Sequence, residues 1–204
     1  MQNLSNVLLI GNGTLPGAAL LECLARQATF ILAADGGADK ARAAGIQPDL
    51  VIGDLDSLAS APEQVLRVPR QDNTDLEKAL DWLQEHRAGR VCIVGSVGGR
   101  WDFSIGNFLS VYSYLPALDI YFAGDGWKIY PLVQGTQKAV RPGARVSLIP
   151  FTACTRVNLS GTQYPLTNAQ LTLGHTGRTL SNCAQQAQIT VQFESGFMLL
   201  YIED

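Results

Sequence analysis

Charge is scarce in this sequence. Only 16% of its 204 residues are charged, below the roughly 25% of an ordinary soluble domain. The net charge is −3, so the basic excess of a nucleic-acid binder is missing. Histidine occurs twice, as His86 and His175, and neither HExxH nor a Cys/His zinc spacing is present. The four cysteines, Cys23, Cys92, Cys154 and Cys183, are scattered without a CxxC pair. They read as reduced thiols and predict a cytoplasmic protein. No apolar stretch approaches the ~20 residues needed to span a bilayer. The first apolar run, residues 7–10, is too short for a secretory leader and stops at Gly11-Asn12-Gly13. There is no GxxxxGK[ST] loop and no GxSxG elbow, and the glycines at 11, 13 and 17 do not fit the dinucleotide fingerprint.

What is present is an alternation of strand-like and helix-like segments. Apolar runs at 7–10, 30–34, 50–52, 91–94 and 119–123 read as strands. Helical stretches are predicted from Pro16 through Gln27, after Gly37, from Thr74 toward Arg87, and over 104–114. This pattern predicts a mostly parallel sheet covered on both faces, in which ligands bind outside the carboxyl ends of the strands. Near Asp125-Gly126 helical periodicity fades. Short β-rich runs separated by Pro142-Gly143, Ser160-Gly161 and Ser195-Gly196 follow. Ile189, Val191 and Phe193 alternate with polar residues, as on a half-buried strand. Two domains are expected: an α/β domain over 1–125 and a smaller antiparallel β domain over 126–204.

The scarce acidic residues collect just past the predicted strands. In Gly53-Asp54-Leu55-Asp56-Ser57, Asp54 and Asp56 stand two apart, so in extended backbone they point the same way. Two such carboxylates suit Mg²⁺, which takes oxygen ligands and commonly shares them with substrate phosphates. A solvated acidic turn has the same pattern. Thr74-Asp75-Leu76-Glu77 has the form of a capping box, which puts Asp75 in the first turn of a helix. Acidic residues favour that position for structural reasons, yet the same helix end accepts anions. Lys78, one turn on, is within reach of a phosphate. Gly98-Gly99-Arg100-Trp101-Asp102, with Asn107 beyond, combines close backbone approach with a guanidinium suited to phosphate; an ordinary turn with a surface arginine would look alike.

Taken in order, these segments resemble the thiamine pyrophosphokinase family. The matching pieces are Ala34-Asp35-Gly36-Gly37-Ala38, Pro48-Asp49-Leu50-Val51-Ile52-Gly53-Asp54-Leu55-Asp56-Ser57, Gln71-Asp72-Asn73-Thr74-Asp75-Leu76-Glu77-Lys78 and Gly98-Gly99-Arg100-Trp101-Asp102 with Asn107. Beyond them come Ser147-Leu148-Ile149-Pro150, Gly161-Thr162-Gln163-Tyr164-Pro165-Leu166 and Ser181-Asn182. The resemblance implies a Rossmann-like α/β catalytic domain followed by a β-sandwich domain, and transfer of pyrophosphate from ATP to thiamine, giving thiamine diphosphate and AMP, in a homodimer. It implies Mg²⁺ on Asp54, Asp56 and Asp75. Asp35, Gly36, Gln71, Thr74, Lys78 and Arg100 would surround ATP, and Ser181, Asn182, Asp102 and Asn107 would surround thiamine. Phe103 and Cys183-Ala184-Gln185 depart from the family pattern, leaving Trp127 or Tyr201 as substitutes for an aromatic partner of the thiamine ring. Asp72 and Asp102 are both candidates to accept the hydroxyl proton. A pyrophosphokinase for another hydroxyalkyl heterocycle such as a pterin, a non-catalytic nucleotide or thiamine binder, and a metal-dependent phosphatase or DxD glycosyltransferase are the rival readings.

Overall fold

Six short apolar runs form the first sheet: β1 (Asn6–Ile10), β2 (Phe30–Ala34), β3 (Leu50–Gly53), β4 (Val65–Arg67), β5 (Arg90–Val94) and β6 (Asp119–Gly124). The computed structural model describes residues 2–54, 64–69, 72–174, 177 and 179–203. The chain divides into two compact units, Met1–Asp125 and Gly126–Asp204.

In the first unit every strand pairing is parallel, in the order β6-β5-β1-β2-β3-β4. Parallel strands are buried on both faces, which is why β1 and β5 are apolar almost end to end. Leu8, Ile10, Cys92 and Val94 pack against Leu21 and Leu24 of α1 (Ala18–Gln27) and Ala41 of α2 (Gly37–Ala43). The opposite face takes α3 (Asp75–Glu85), whose Trp82 stacks on Phe30 at 5.7 Å. The chain leaves β1 toward β2 on one side and returns through α3 to β5 on the other. Strand order thus reverses between β1 and β5, the place where such sheets open a ligand crevice.

Two helix boundaries differ from the sequence expectation. α1 begins at Ala18 rather than Pro16. Both carboxylate oxygens of Asp125 accept the Gly17 N–H, at 3.0 and 2.9 Å, an anchor 108 residues away. α4 begins at Trp101, three residues early, and ends at Ser110, tightening into a 3-10 turn over Val111–Tyr114. Ser104 sets its start: the hydroxyl accepts from Gly98 N–H at 3.1 Å and donates to the Arg100 carbonyl at 3.0 Å.

The second unit holds two antiparallel sheets. One has the order β12-β9-β14-β7 and the other β11-β10-β13-β8. These strands are β7 (Trp127–Leu132), β8 (Thr136–Ala139), β9 (Arg145–Pro150), β10 (Cys154–Ser160), β11 (Leu166–Leu171), β12 (Asn182–Cys183), β13 (Gln188–Gln192) and β14 (Met198–Glu203). Their inward residues, among them Val146, Leu148, Val157, Leu159, Ile189, Val191, Met198 and Leu200, form one buried core, the anatomy of a sandwich. As the alternation predicts, Ile189 and Val191 are buried; Phe193 lies just past the end of β13, partly buried against the same core.

Candidate active site

At the carboxyl ends of β1, β2 and β5 lies a cavity of about 590 Å³. Its walls are the loop Gly11-Asn12-Gly13-Thr14 after β1, Asp35 after β2, Thr74 and Asp75 at the start of α3, and the turn from Gly95 to Arg100 after β5, with Lys40, Phe103 and Asn107. The β1 and β5 turns touch backbone to backbone: Gly13 N–H donates to the Gly95 carbonyl, and a Cβ on Gly13 would come 2.5 Å from that oxygen. Glycine is required there by the closeness of the two turns. Asn107 reaches back from α4, its amide donating to the Ser96 carbonyl at 2.6 Å.

Three carboxylates meet beside this cavity. Oxygens of Asp35, Asp54 and Asp75 all lie within 4.8 Å of one another. Each arrives by a different route. Asp35 ends β2 with φ of 43°, a left-handed conformation that aspartate tolerates better than most residues and that recurs at functional sites. It is 4% exposed, and its Oδ1 has no hydrogen-bond partner. Gly53 makes room for it, since a Cβ there would sit 2.9 Å from the Asp35 Cβ. Asp54 follows directly. Asp75 is placed by the capping box: Thr74 Oγ1 accepts from Glu77 N–H at 3.2 Å, and the Glu77 carboxylate accepts from Thr74 N–H at 2.8 Å.

Burial pushes the Asp75 carboxyl above its ordinary value, the negative charges of Asp35 and Asp54 add to this, and Lys78 opposes it. The Lys78 side chain is 3% exposed, with Nζ 2.8 Å from Asp75 Oδ1 and 4.0 Å from Asp54 Oδ2. Its ammonium is thus turned onto the acidic cluster. Arg100 lies over the Phe103 ring, 4.4 Å from the centroid, and pairs with Asp102. Both charges are largely exposed, and the guanidinium holds the Asp102 carboxyl below its usual range.

Asp35, assigned to ATP, is a member of the carboxylate cluster. Its position just past a strand is the same signal that flagged Asp54. Asp56 and Gln71 lie outside the described residues. Asp54 and Asp75 are together, Gly36 follows Asp35, and Thr74, Arg100 and Asn107 line the cavity, whereas Asp72 and Asp102 are not among the residues described as lining it. Lys40 lines it and was not singled out. Its ammonium donates to the carbonyls of Asn12 and, at 2.6 Å, Gly13, and nothing in the residues around it announces that contact.

Ser181 and Asn182 belong to the second unit. They line a smaller cavity of about 300 Å³ with Arg141, Arg145 and Glu203. Ser181 is exposed and donates its N–H to Ser147 Oγ at 3.0 Å. Asn182 is buried, and its amide is fully engaged within the chain. Oδ1 accepts from Tyr164 N–H and Cys183 N–H at 3.1 and 2.9 Å, while Nδ2 donates to the Tyr164 carbonyl and Thr162 Oγ1 at 2.7 and 3.3 Å. That arrangement fastens the 162–164 turn to β12.

Fold and site together define a two-unit protein whose α/β unit carries a glycine-walled crevice beside a cluster of three carboxylates. Comparison with known proteins narrows the class. Residues 21–122 match the family model "Thiamin pyrophosphokinase, catalytic domain", and residues 135–198 match "Thiamin pyrophosphokinase, vitamin B1 binding domain". The thiamine pyrophosphokinase of Bacillus subtilis (strain 168) is 28% identical over 185 residues, covering 84% of this chain and 86% of the relative. The crystal structure of thiamine pyrophosphokinase from Bacillus subtilis superposes with a TM-score of 0.85 at 26% identity, covering 97% of this chain and 98% of the other. That of thiamin pyrophosphokinase from Geobacillus thermodenitrificans, at 24% identity and covering 97% of each chain, has a TM-score of 0.82 and shares the fold. The chain belongs to the thiamine pyrophosphokinase family.

Proposed function

We propose that this chain transfers the pyrophosphoryl group of ATP to the hydroxyl of thiamine, giving thiamine diphosphate and AMP. The observation that carries the chemistry is the buried Asp35 oxygen left without a partner inside a three-carboxylate cluster. An unpaired buried carboxylate oxygen is costly, and a hard divalent cation is the partner that three carboxylates suit. Asp35, Asp54 and Asp75 fit Mg²⁺, with Asp56 as a further ligand. The ion, when bound, supplies charge neutralisation at the phosphates.

The thiamine hydroxyl oxygen bonds to the β-phosphorus as the bond from that phosphorus to the α–β bridging oxygen breaks, and AMP leaves with the bridging oxygen. The protein acts mainly by positioning and electrostatics. Thr74 and the free amides at the start of α3 face the polyphosphate, Arg100 stands at its outer edge, and Lys78 balances the carboxylates from behind. The hydroxyl proton passes to Asp72 or Asp102. The Ser181–Asn182 segment serves thiamine, Ser181 by direct contact and Asn182 by holding the 162–164 turn. Asn107 lines the α/β cavity.

A homodimer is supported by α4 and the turn after it. Trp101, Ile105, Leu109 and Tyr112 recur at helical spacing and are 79%, 53%, 46% and 51% exposed, an apolar stripe that a second copy would cover. A cytoplasmic location is supported by four free cysteines. Among the described residues, no helix is long and apolar enough to cross a membrane.

The test is an assay of purified protein with ATP, Mg²⁺ and thiamine, separating nucleotides and thiamine esters. Equimolar AMP and thiamine diphosphate are expected. Release of ADP or inorganic phosphate, or no thiamine-dependent AMP, would overturn the proposal.

A further inference from the structure

We propose that Lys40, and not Lys78, is the lysine that contacts the polyphosphate in the α/β crevice. The inference rests on the nucleotide reading above and deepens it. Two basic residues line the cavity among the described residues, Lys40 and Arg100. Arg100 sits at the exposed rim, already paired with Asp102. Lys78 is not among the lining residues, and its ammonium is committed to Asp75 on the buried side of the cluster. A polyphosphate entering a cavity whose wall carries Asp35 and Asp75 meets negative charge, so it needs a cation on the same wall.

Lys40 supplies that cation from α2, across the end of β1. An ammonium has three donors. Two are engaged by the Asn12 and Gly13 carbonyls, which fixes the ammonium at the β1 turn. The third is left for an anion in the cavity. Because the carbonyls are neutral, the full positive charge remains available, unlike that of Lys78, which faces two carboxylates. Holding the ammonium in advance also removes much of the ordering cost that a flexible lysine would bring to binding.

The test compares wild type, Lys40→Gln and Lys40→Arg by calorimetric titration with inorganic tripolyphosphate, ATP and adenosine. Glutamine keeps a donor for the carbonyls but removes the charge. Lys40→Gln is expected to weaken tripolyphosphate and ATP binding by roughly tenfold to a hundredfold, the range of a hydrogen bond to a charged group. Adenosine binding should be unchanged, and Lys40→Arg, which keeps the charge, should lose less tripolyphosphate affinity than Lys40→Gln. Unchanged tripolyphosphate affinity in Lys40→Gln, or an equal loss for adenosine, would overturn the assignment in favour of a loop anchor. A second measurement needs no variant: tripolyphosphate should protect Lys40 of the wild-type protein from amine acetylation read by mass spectrometry, and an unaltered labelling rate would contradict the contact. Tripolyphosphate binding through Lys40 without thiamine-dependent AMP formation would refute the reaction proposed above and leave this inference standing.

Discussion

Asp35 and Asn182 are each 4% exposed, each in a left-handed or adjoining turn, and each in a different unit. They treat their polar atoms in opposite ways. The Asn182 amide has four partners, all within its own unit. Asp35 keeps an oxygen with none, beside two further carboxylates that repel it. Buried polar groups are nearly always satisfied, so the contrast separates a residue that builds the fold from one held ready for something the fold does not contain. Burial alone would rank the two equally; the count of filled hydrogen-bond positions distinguishes them.

Substitutions at the two positions should fail differently. Asp35→Asn should lower kcat/KM by at least about a hundredfold, the scale seen when a metal's supporting groups are lost. The metal-free protein should melt no lower than wild type, because one of three mutually repelling charges is gone. Steady-state kinetics and thermal melts would check both halves. Asn182→Ala should instead cost roughly 1–3 kcal/mol in urea unfolding by orphaning the Tyr164 backbone groups, and an unchanged midpoint would remove its structural role. Thr74→Ala should cost about 1 kcal/mol by the same measurement, through loss of the cap that sets Asp75 at the start of α3. The smallest effect concerns pH. Because the folded-state pKa of Asp75 lies above 3.8, the folded metal-free protein binds this proton more readily than the unfolded chain. Its contribution is full below 3.8 and declines as pH rises through the raised value. Melts in EDTA should therefore show an added loss of stability on that rise, which Asp75→Asn removes.

Much of the fold and part of the site were legible in the sequence, and the gaps have physical causes. The strands could be read because a parallel sheet buried on both faces needs unbroken apolar runs, as in Leu8–Ile10 and Val91–Val94. The cap of α3 could be read because its four residues are contiguous. Asp54 and Asp75 were found because each ends or begins an element. Asp35 was seen as strand-terminal but not as a cluster member, since its neighbours are 19 and 40 residues on and only the strand order brings them together. Lys40 and the Asp125 anchor of α1 depend on contacts between distant segments that leave no periodic or local mark. The Asn182 network is of the same kind: Thr162 and Tyr164 lie about twenty residues upstream, and only the sandwich sets them beside it.

We propose that the open oxygen of Asp35 is a ligand for a divalent cation. Electron paramagnetic resonance of Mn²⁺ added to the protein with a nonhydrolysable ATP analogue tests this. A protein-bound Mn²⁺ signal is expected in wild type and is expected to be lost or greatly weakened in Asp35→Asn. Indistinguishable bound Mn²⁺ in the two proteins would show that Asp35 does not hold the ion.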